Sequence, residues 1–310
     1  MKKFLSQNKR RIAIAVYSLL TAMALLFASY IVTNIGFSIS GEADLIKKSN
    51  IVLNNLFDYN KGVPDSILFV NVGYDKQLAD IYDNDGFHLG NIDITNRHSL
   101  YKFLDILSRR NDYKYIVLDV FFDGGLYTED DSLLFAKIAS MERIVIPSMR
   151  DEELVTDKGL QKKAALSDYT TTFFSGGYYK FELENNGSYS IPYRMYNDIT
   201  GDKITPRGIF YYDSGKLCSK TLFSRAFIVP DGMYDKKGKR NYYNLGSDLL
   251  VDEGSLLKDN LLKEKYIFTG DMVLTDTHET VMGEMQGIVI LANTFTSLMK
   301  RQHIIPFTVI

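Results

Sequence analysis

The sequence predicts an α/β protein with a mostly parallel sheet and flanking helices, carried on an N-terminal transmembrane helix. Two observations predict it. Between residues 67 and 147, continuous apolar runs of strand length alternate with amphipathic helical stripes, the pattern of a parallel sheet covered on both faces. From Ile12 to Ile35 no residue is charged, and at about 1.5 Å of rise per residue that run crosses a bilayer core of about 30 Å. The composition, 45% hydrophobic and 24% charged, is that of a globular chain and excludes a disordered or fibrous one.

The flanks of the apolar run give its expected topology. Lys2, Lys3, Lys9, Arg10 and Arg11 precede it without an acid, and Glu42 and Asp44 follow it. Basic residues stay on the cytoplasmic side, so residues 1–11 read as a cytoplasmic tail, 12–35 as the membrane helix and 42–303 as an extracytoplasmic domain in the plasma (inner) membrane, facing the periplasm or exterior. Ala22-Met23-Ala24 fits a signal-peptidase pattern, but the apolar run continues through Ile35, which favours an uncleaved anchor. Lys and Arg total 36 against 38 Asp and Glu. With five of those cations in the tail the body is acidic, which argues against nucleic acid as a partner. Cys218 is the single cysteine, so no intramolecular disulfide forms, and it reads as a half-buried packing residue.

Along the body, Gly41 to Lys61 reads as a juxtamembrane helix stopped by Gly62-Val63-Pro64. Ile67 to Val72 reads as a buried strand, and Asp83-Asn84-Asp85-Gly86 as a turn. Asn96 or Ser99 caps a helix whose stripe is Leu100, Phe103, Leu104 and Leu107, ending near Asn111. A second strand runs from Tyr115 to Phe122 and closes at Asp123-Gly124-Gly125. Thr128 with Asp131 resembles a capping box opening the helix of Leu133, Leu134, Ala136 and Ile138. Arg143 to Pro147 is a third strand. From about 150 to 250, tyrosines and phenylalanines cluster between turn signals, predicting hairpins or irregular loops inserted into the α/β unit. The pattern returns with a strand at Tyr266 to Phe268 and a helix from Gly287 to Met299. That strand is expected beside residues 67–72 or 115–122, because an isolated apolar edge is prone to aggregate.

Two groups of residues carry a resemblance. The first is an acid after a strand (Ile67 to Asp75), Asn96-Arg97 before a helix, Asp119 with Phe122 on a strand, and Asp130-Asp131 leading to Leu134. The second is Gly270-Asp271, then Asp276-Thr277-His278-Glu279-Thr280, Gly283, and Gly287 through Ala292-Asn293. In this order they resemble the type-two CHASE domain, the sensory extracellular domain associated with cyclases and histidine kinases. The resemblance spans about 67–147 and 265–300; the aromatic-proline turn of that family is replaced by Gly90-Asn91-Ile92-Asp93. It implies an extracytoplasmic sensor for an unknown small-molecule or ionic signal, with the lipid bilayer as a partner, and no enzyme activity. A homodimer, and a cytoplasmic output domain beyond Ile310, are both compatible with it. Residues 304–310, free of charge after Lys300 and Arg301, look like the opening of a further membrane helix.

In parallel sheets ligands collect beyond the carboxyl ends of the strands. Asp75, Asp119, Asp123 and Asp271 sit at or just after such ends, with Asp276 and His278 in a following loop and Arg97 as the nearest base. These seven are the candidate ligand-binding residues, suited to a cation or a cationic small molecule. The plainer reading makes Asp119 and Asp271 turn caps, His278 a satisfied hydrogen-bonding residue and Arg97 a structural ion-pair partner. No H-E-x-x-H, G-x-S-x-G, P-loop or EF-hand pattern is present, and no cofactor motif. The alternatives are a membrane-tethered, metal-dependent hydrolase using the Asp/His loop, or an envelope scaffold that senses nothing.

Overall fold

The computed structural model describes residues 2–39, 41–57, 62–83, 85–122, 126–149, 157–167, 177–223, 225, 227–229, 233–234, 238, 240–252, 260–273, 276–281 and 283–305. Helices α1 (Lys2–Thr33) and α2 (Glu42–Phe57) lead into strand β1 (Ile67–Asn71) and the hairpin β2 (Lys76–Tyr82) and β3 (His88–Thr95). There follow α3 (Arg97–Arg110), β4 (Tyr115–Leu118), α4 (Asp131–Ser140), β5 (Ile144–Ser148), α5 (Lys158–Gln161) and β6 (Ala164–Leu166). The middle of the chain gives β7 (Lys180–Glu182), the hairpin β8 (Glu184–Asn185) and β9 (Ser188–Tyr189), and α6 (Ile191–Thr200). Next come β10 (Ile204–Arg207), β11 (Phe210–Asp213), β12 (Lys216–Cys218), β13 (Thr221–Phe223) and β14 (Tyr243–Asn244). The chain finishes with β15 (Tyr266–Gly270), the hairpin β16 (Thr277–Thr280) and β17 (Gly283–Gln286), and α7 (Gly287–Met299).

Six of these strands form one parallel sheet in the order β14-β1-β15-β4-β5-β6. β15 lies between β1 and β4, so the last strand of the α/β unit closes the gap between the first two, as expected. β1 and β4 are buried at every position. Their alternate side chains feed two cores: Phe69, Val117 and Phe268 face α6 and α7, while Leu68, Val70, Ile116, Leu118 and Ile267 face α3 and α4. A strand covered on both sides has no solvent face, which is why these runs are continuously apolar rather than alternating. In α3, Asn96 Oδ1 accepts from the Ser99 amide at 2.9 Å, and the helix stops at Asn111 in the left-handed region.

The inserted segment does more than the sequence predicted. It supplies both edge strands of the main sheet, β6 and β14. It also holds a helix where hairpins were expected. Tyr193 and Tyr196 are buried on α6, which starts after Ser190, stops at Gly201 (φ 73) and carries a proline in its first turn. The expected antiparallel structure is present as β10-β11-β12, β7-β13 and β8-β9. The loop expected around Asp276 and His278 is instead the β16–β17 hairpin, closed by Thr280 Oγ1 donating to the Gly283 carbonyl at 2.7 Å. Cys218 is fully rather than half buried, and burial pushes its thiol up to about 12.

α1 is long and apolar enough to cross a membrane between Lys9 and Thr33, a stretch the rest of the chain leaves uncovered over its apolar window. Its last turns dock on the inserted segment. Tyr30 donates through its hydroxyl to the Cys218 carbonyl at 3.2 Å and accepts from the Tyr211 amide at 2.8 Å. Lys180 Nζ donates to the Val32 carbonyl, Thr221 Oγ1 to the Thr33 carbonyl, and the Lys220 amide to Asn34 Oδ1. At the start of the 304–310 stretch, expected to open a further membrane helix, Ile304 forms an antiparallel bridge with Cys218 of β12. The Ile305 amide donates to the Leu217 carbonyl at 2.9 Å. Residues 306–310 lie outside the described residues.

Candidate functional site

Beyond the carboxyl ends of β4 and β15 lies a pocket of about 510 Å³, walled by Lys76, Asp93, Arg97, Asp119, Asp271 and Asp276. Its position follows from the topology, since the loops after parallel strands splay apart and leave a crevice at that edge. Four of the seven residues named from the sequence, Arg97, Asp119, Asp271 and Asp276, therefore meet at one place.

Asp119 continues the β4 ladder for one more bond, its amide donating to the Thr269 carbonyl at 2.7 Å. Its Cβ sits close to the backbone of Gly270. Burial pushes the Asp119 carboxyl up to about 7, the neighbouring Asp276 carboxylate pushes the same way, and His278 opposes them. Asp276 Oδ1 lies 3.0 Å from His278 Nε2, and the His278 ring meets the Tyr178 ring edge-on at 5.0 Å. Asp271 Oδ1 accepts from the Val273 amide at 2.7 Å. Asp271 lies against Gly73 and Asp276 against Gly287, so closely that a Cβ at either glycine would collide with the carboxylate. The acidic groups thus approach main chain that is stripped of side chains.

The remaining candidates are elsewhere. Asp75 lies against Gly246, whose amide it accepts from, and not on the crevice wall; burial raises its pKa and the Asp248 carboxylate adds to the rise. Asp123 lies outside the described residues. Arg97 reaches the crevice wall, but its guanidinium is committed to Asp131. Nε is 3.1 Å from Asp131 Oδ1, both side chains are buried, and the group stacks over the Phe122 ring at 4.8 Å. The other oxygen of Asp131 accepts from the amides of Tyr127 and Thr128 at 2.6 and 2.7 Å. That is one half of the expected capping box; the Thr128 hydroxyl is buried and bonds to none of the described residues.

Two organising residues escaped the sequence reading. Asn71, buried at the end of β1, accepts from the amides of Gly73 and Met272 and donates to Asn244 Oδ1, each at 2.9 Å, tying three strand ends together. Asn293 of the Ala292-Asn293 pair is a clamp rather than a ligand: its side chain bonds the amides of Phe227 and Ile228 and the Ile228 carbonyl. A buried Asn inside an apolar run was the available signal at both positions.

Four carboxylates, Asp93, Asp119, Asp271 and Asp276, around a crevice with Lys76 and the Asp131-paired Arg97 suit a proton or an organic cation. Among the described residues no group of three or more His, Cys, Asp or Glu side chains is placed to hold a metal ion. No family model matches the chain, and neither a curated protein nor a solved structure matches it.

Proposed function

We propose that the protein is a membrane-anchored sensory module whose body lies outside the cytoplasm and whose crevice answers to a proton or a small cation. The observation that carries this reading is the convergence of Asp119, Asp271 and Asp276 on one pocket at the carboxyl edge of a parallel sheet. Asp119 there is desolvated and faces a second carboxylate, so either a proton or a bound cation relieves the same repulsion. The resemblance to the type-two CHASE domain supports a sensory role, and the cations before α1 support an inward N-terminus. The docking of α1 on the inserted segment gives the body a route to the membrane helix.

The test uses full-length protein in lipid vesicles or spheroplasts. External protease is expected to degrade the body and spare the N-terminal tail. Melting across pH about 5 to 9, with and without an organic polyamine, is expected to show raised stability on cation binding near neutral pH, lost in Asp276→Ala. Protection of the body from protease, or the same response in the variant, would refute the reading.

A further inference from the structure

Two helical stripes face each other where α1 leaves its apolar span. Leu25, Ala28, Ser29 and Val32 of α1 and Glu42, Leu45, Ile46 and Ser49 of α2 line a groove of about 390 Å³, predominantly apolar in its walls. Both sets follow the i, i+3, i+4, i+7 spacing of a single helix face. Lys180 holds the base of the wedge together by bonding the Val32 carbonyl and Glu42. Leu45 is left 73% exposed at the groove. Two turns further along α2, Val52 is also exposed, as is Ile51 beside it.

The position of this groove says what fills it. A hydrocarbon core of about 30 Å takes about 20 residues of helix, which run from Ile12 to near Ile31. Leu25, Ala28 and Ser29 therefore lie within the leaflet nearest the body, and the α1 wall of the groove is continuous with the lipid-facing surface of the span. Lys47 and Lys48 are exposed on α2, and Arg225 stands at the groove. Basic groups beside an apolar slot match the phosphate and the acyl chain of one phospholipid.

We propose that the groove between α1 and α2 holds an acyl chain of a phospholipid from the leaflet nearest the body, with α2 lying along the membrane surface as a foot. This rests on α1 being a membrane span. The foot fixes the height and tilt of the sensory body above the bilayer, which a single helix alone would leave free to swivel.

The chain contains no tryptophan, so a single introduced one reports one place. Full-length Leu19→Trp, Leu45→Trp, Val52→Trp and Leu133→Trp variants are reconstituted into vesicles whose phospholipids carry bromine at a shallow or a deep acyl position. Leu19 lies inside the span, and Leu133 is exposed on α4, across the sheet from the core that α6 and α7 cover. The proposal expects loss of most emission from Leu19→Trp with deep bromines, and from Leu45→Trp and Val52→Trp with shallow ones. Leu133→Trp emission is expected to stay unchanged. Quenching of Leu19→Trp without quenching of Leu45→Trp overturns the groove proposal and leaves the span standing. An unquenched Leu19→Trp overturns the span and the proposal together. An unquenched Leu45→Trp emission that shifts on dilution means that a second copy fills the groove, and overturns the lipid.

Discussion

The ammonium of Lys180 donates to the main-chain carbonyl of Val32 at 2.8 Å, in the last turn of α1. The side chain is buried and also meets Glu42 Oε1 at 3.1 Å, at the start of α2. A cation at a helix C-terminus satisfies carbonyls that have no partner inside the helix and matches the negative end of its dipole. Burial lowers the Lys180 pKa, and Glu42 opposes that. Lys180→Met keeps the apolar stem and removes the charge. It is expected to cost about 2–3 kcal/mol and to expose the 34–41 connection to protease. A double-mutant cycle with Glu42→Gln should recover part of the loss; an unchanged melting temperature and cleavage pattern would show that the tie carries no energy.

Asp119 sets a pH dependence with a definite sign. Its pKa in the fold is raised, from an ordinary 3.8 to about 7. The fold therefore favours the protonated acid, and this contribution is complete below about 3.8 and lost as pH rises through about 7. Asp119→Asn cannot ionise. It is expected to match the parent near pH 4 and to exceed it by about 4 kcal/mol above pH 7, read from denaturant midpoints at the two pH values. Parallel pH profiles for the two proteins would contradict this.

Asp276→Ala should behave differently, because Asp276 is partly exposed and acts on Asp119 through charge. The variant is expected to melt within a few degrees of the parent. The midpoint of the Asp119 titration, followed by carboxyl NMR, should fall toward the ordinary carboxylate range. A large drop in melting temperature with an unmoved midpoint would make Asp276 structural.

The Arg97–Asp131 pair is the opposite case. Asp131→Ala strands a buried guanidinium and is expected to cost about 3–5 kcal/mol. The double variant Arg97→Met with Asp131→Leu should recover most of it, since no lone charge remains. Equal losses in the single and double variants would mean that packing over Phe122, not charge, is what matters.

What the sequence conveyed was set by the length of each signal. Strands of four or five buried residues and the stripe of α3 stand out because their periods repeat. β6 and β14 have three and two residues, too few for any period, so the true edges of the sheet were invisible. α6 was legible in principle. Tyr193 and Tyr196 recur at helical spacing between Ser190-x-Pro192 and Gly201, yet aromatic density and flanking turn signals favour hairpins when weighed alone. The acidic crevice followed from a rule about strand ends. That rule does not say which side of a strand an acid faces, so Asp75 was grouped with Asp119 although it turns toward Gly246. Arg97 and Asp131 belong to different helices, and only tertiary packing joins them.

The sole cysteine offers a direct probe of the docking region. Cys218 is buried, its thiol is pushed up to about 12, and Ile304 pairs with it along β12. In the native protein it is expected to resist maleimide at pH 8, and to react at a rate set by local opening. His303→Ala removes the 2.6 Å bond to Asp213 that holds this pairing, and should raise the labelling rate at least about tenfold before the global melt. An unaltered rate would mean that residues 303–305 are not what covers the thiol.

One short stretch, Leu217 to Thr221, receives both limbs of the chain: Tyr30 to Asn34 on the way in, and His303 to Ile305 on the way out. Both segments therefore bear on the same five residues, so a displacement of Leu217 to Thr221 shifts Tyr30–Asn34 and His303–Ile305 together.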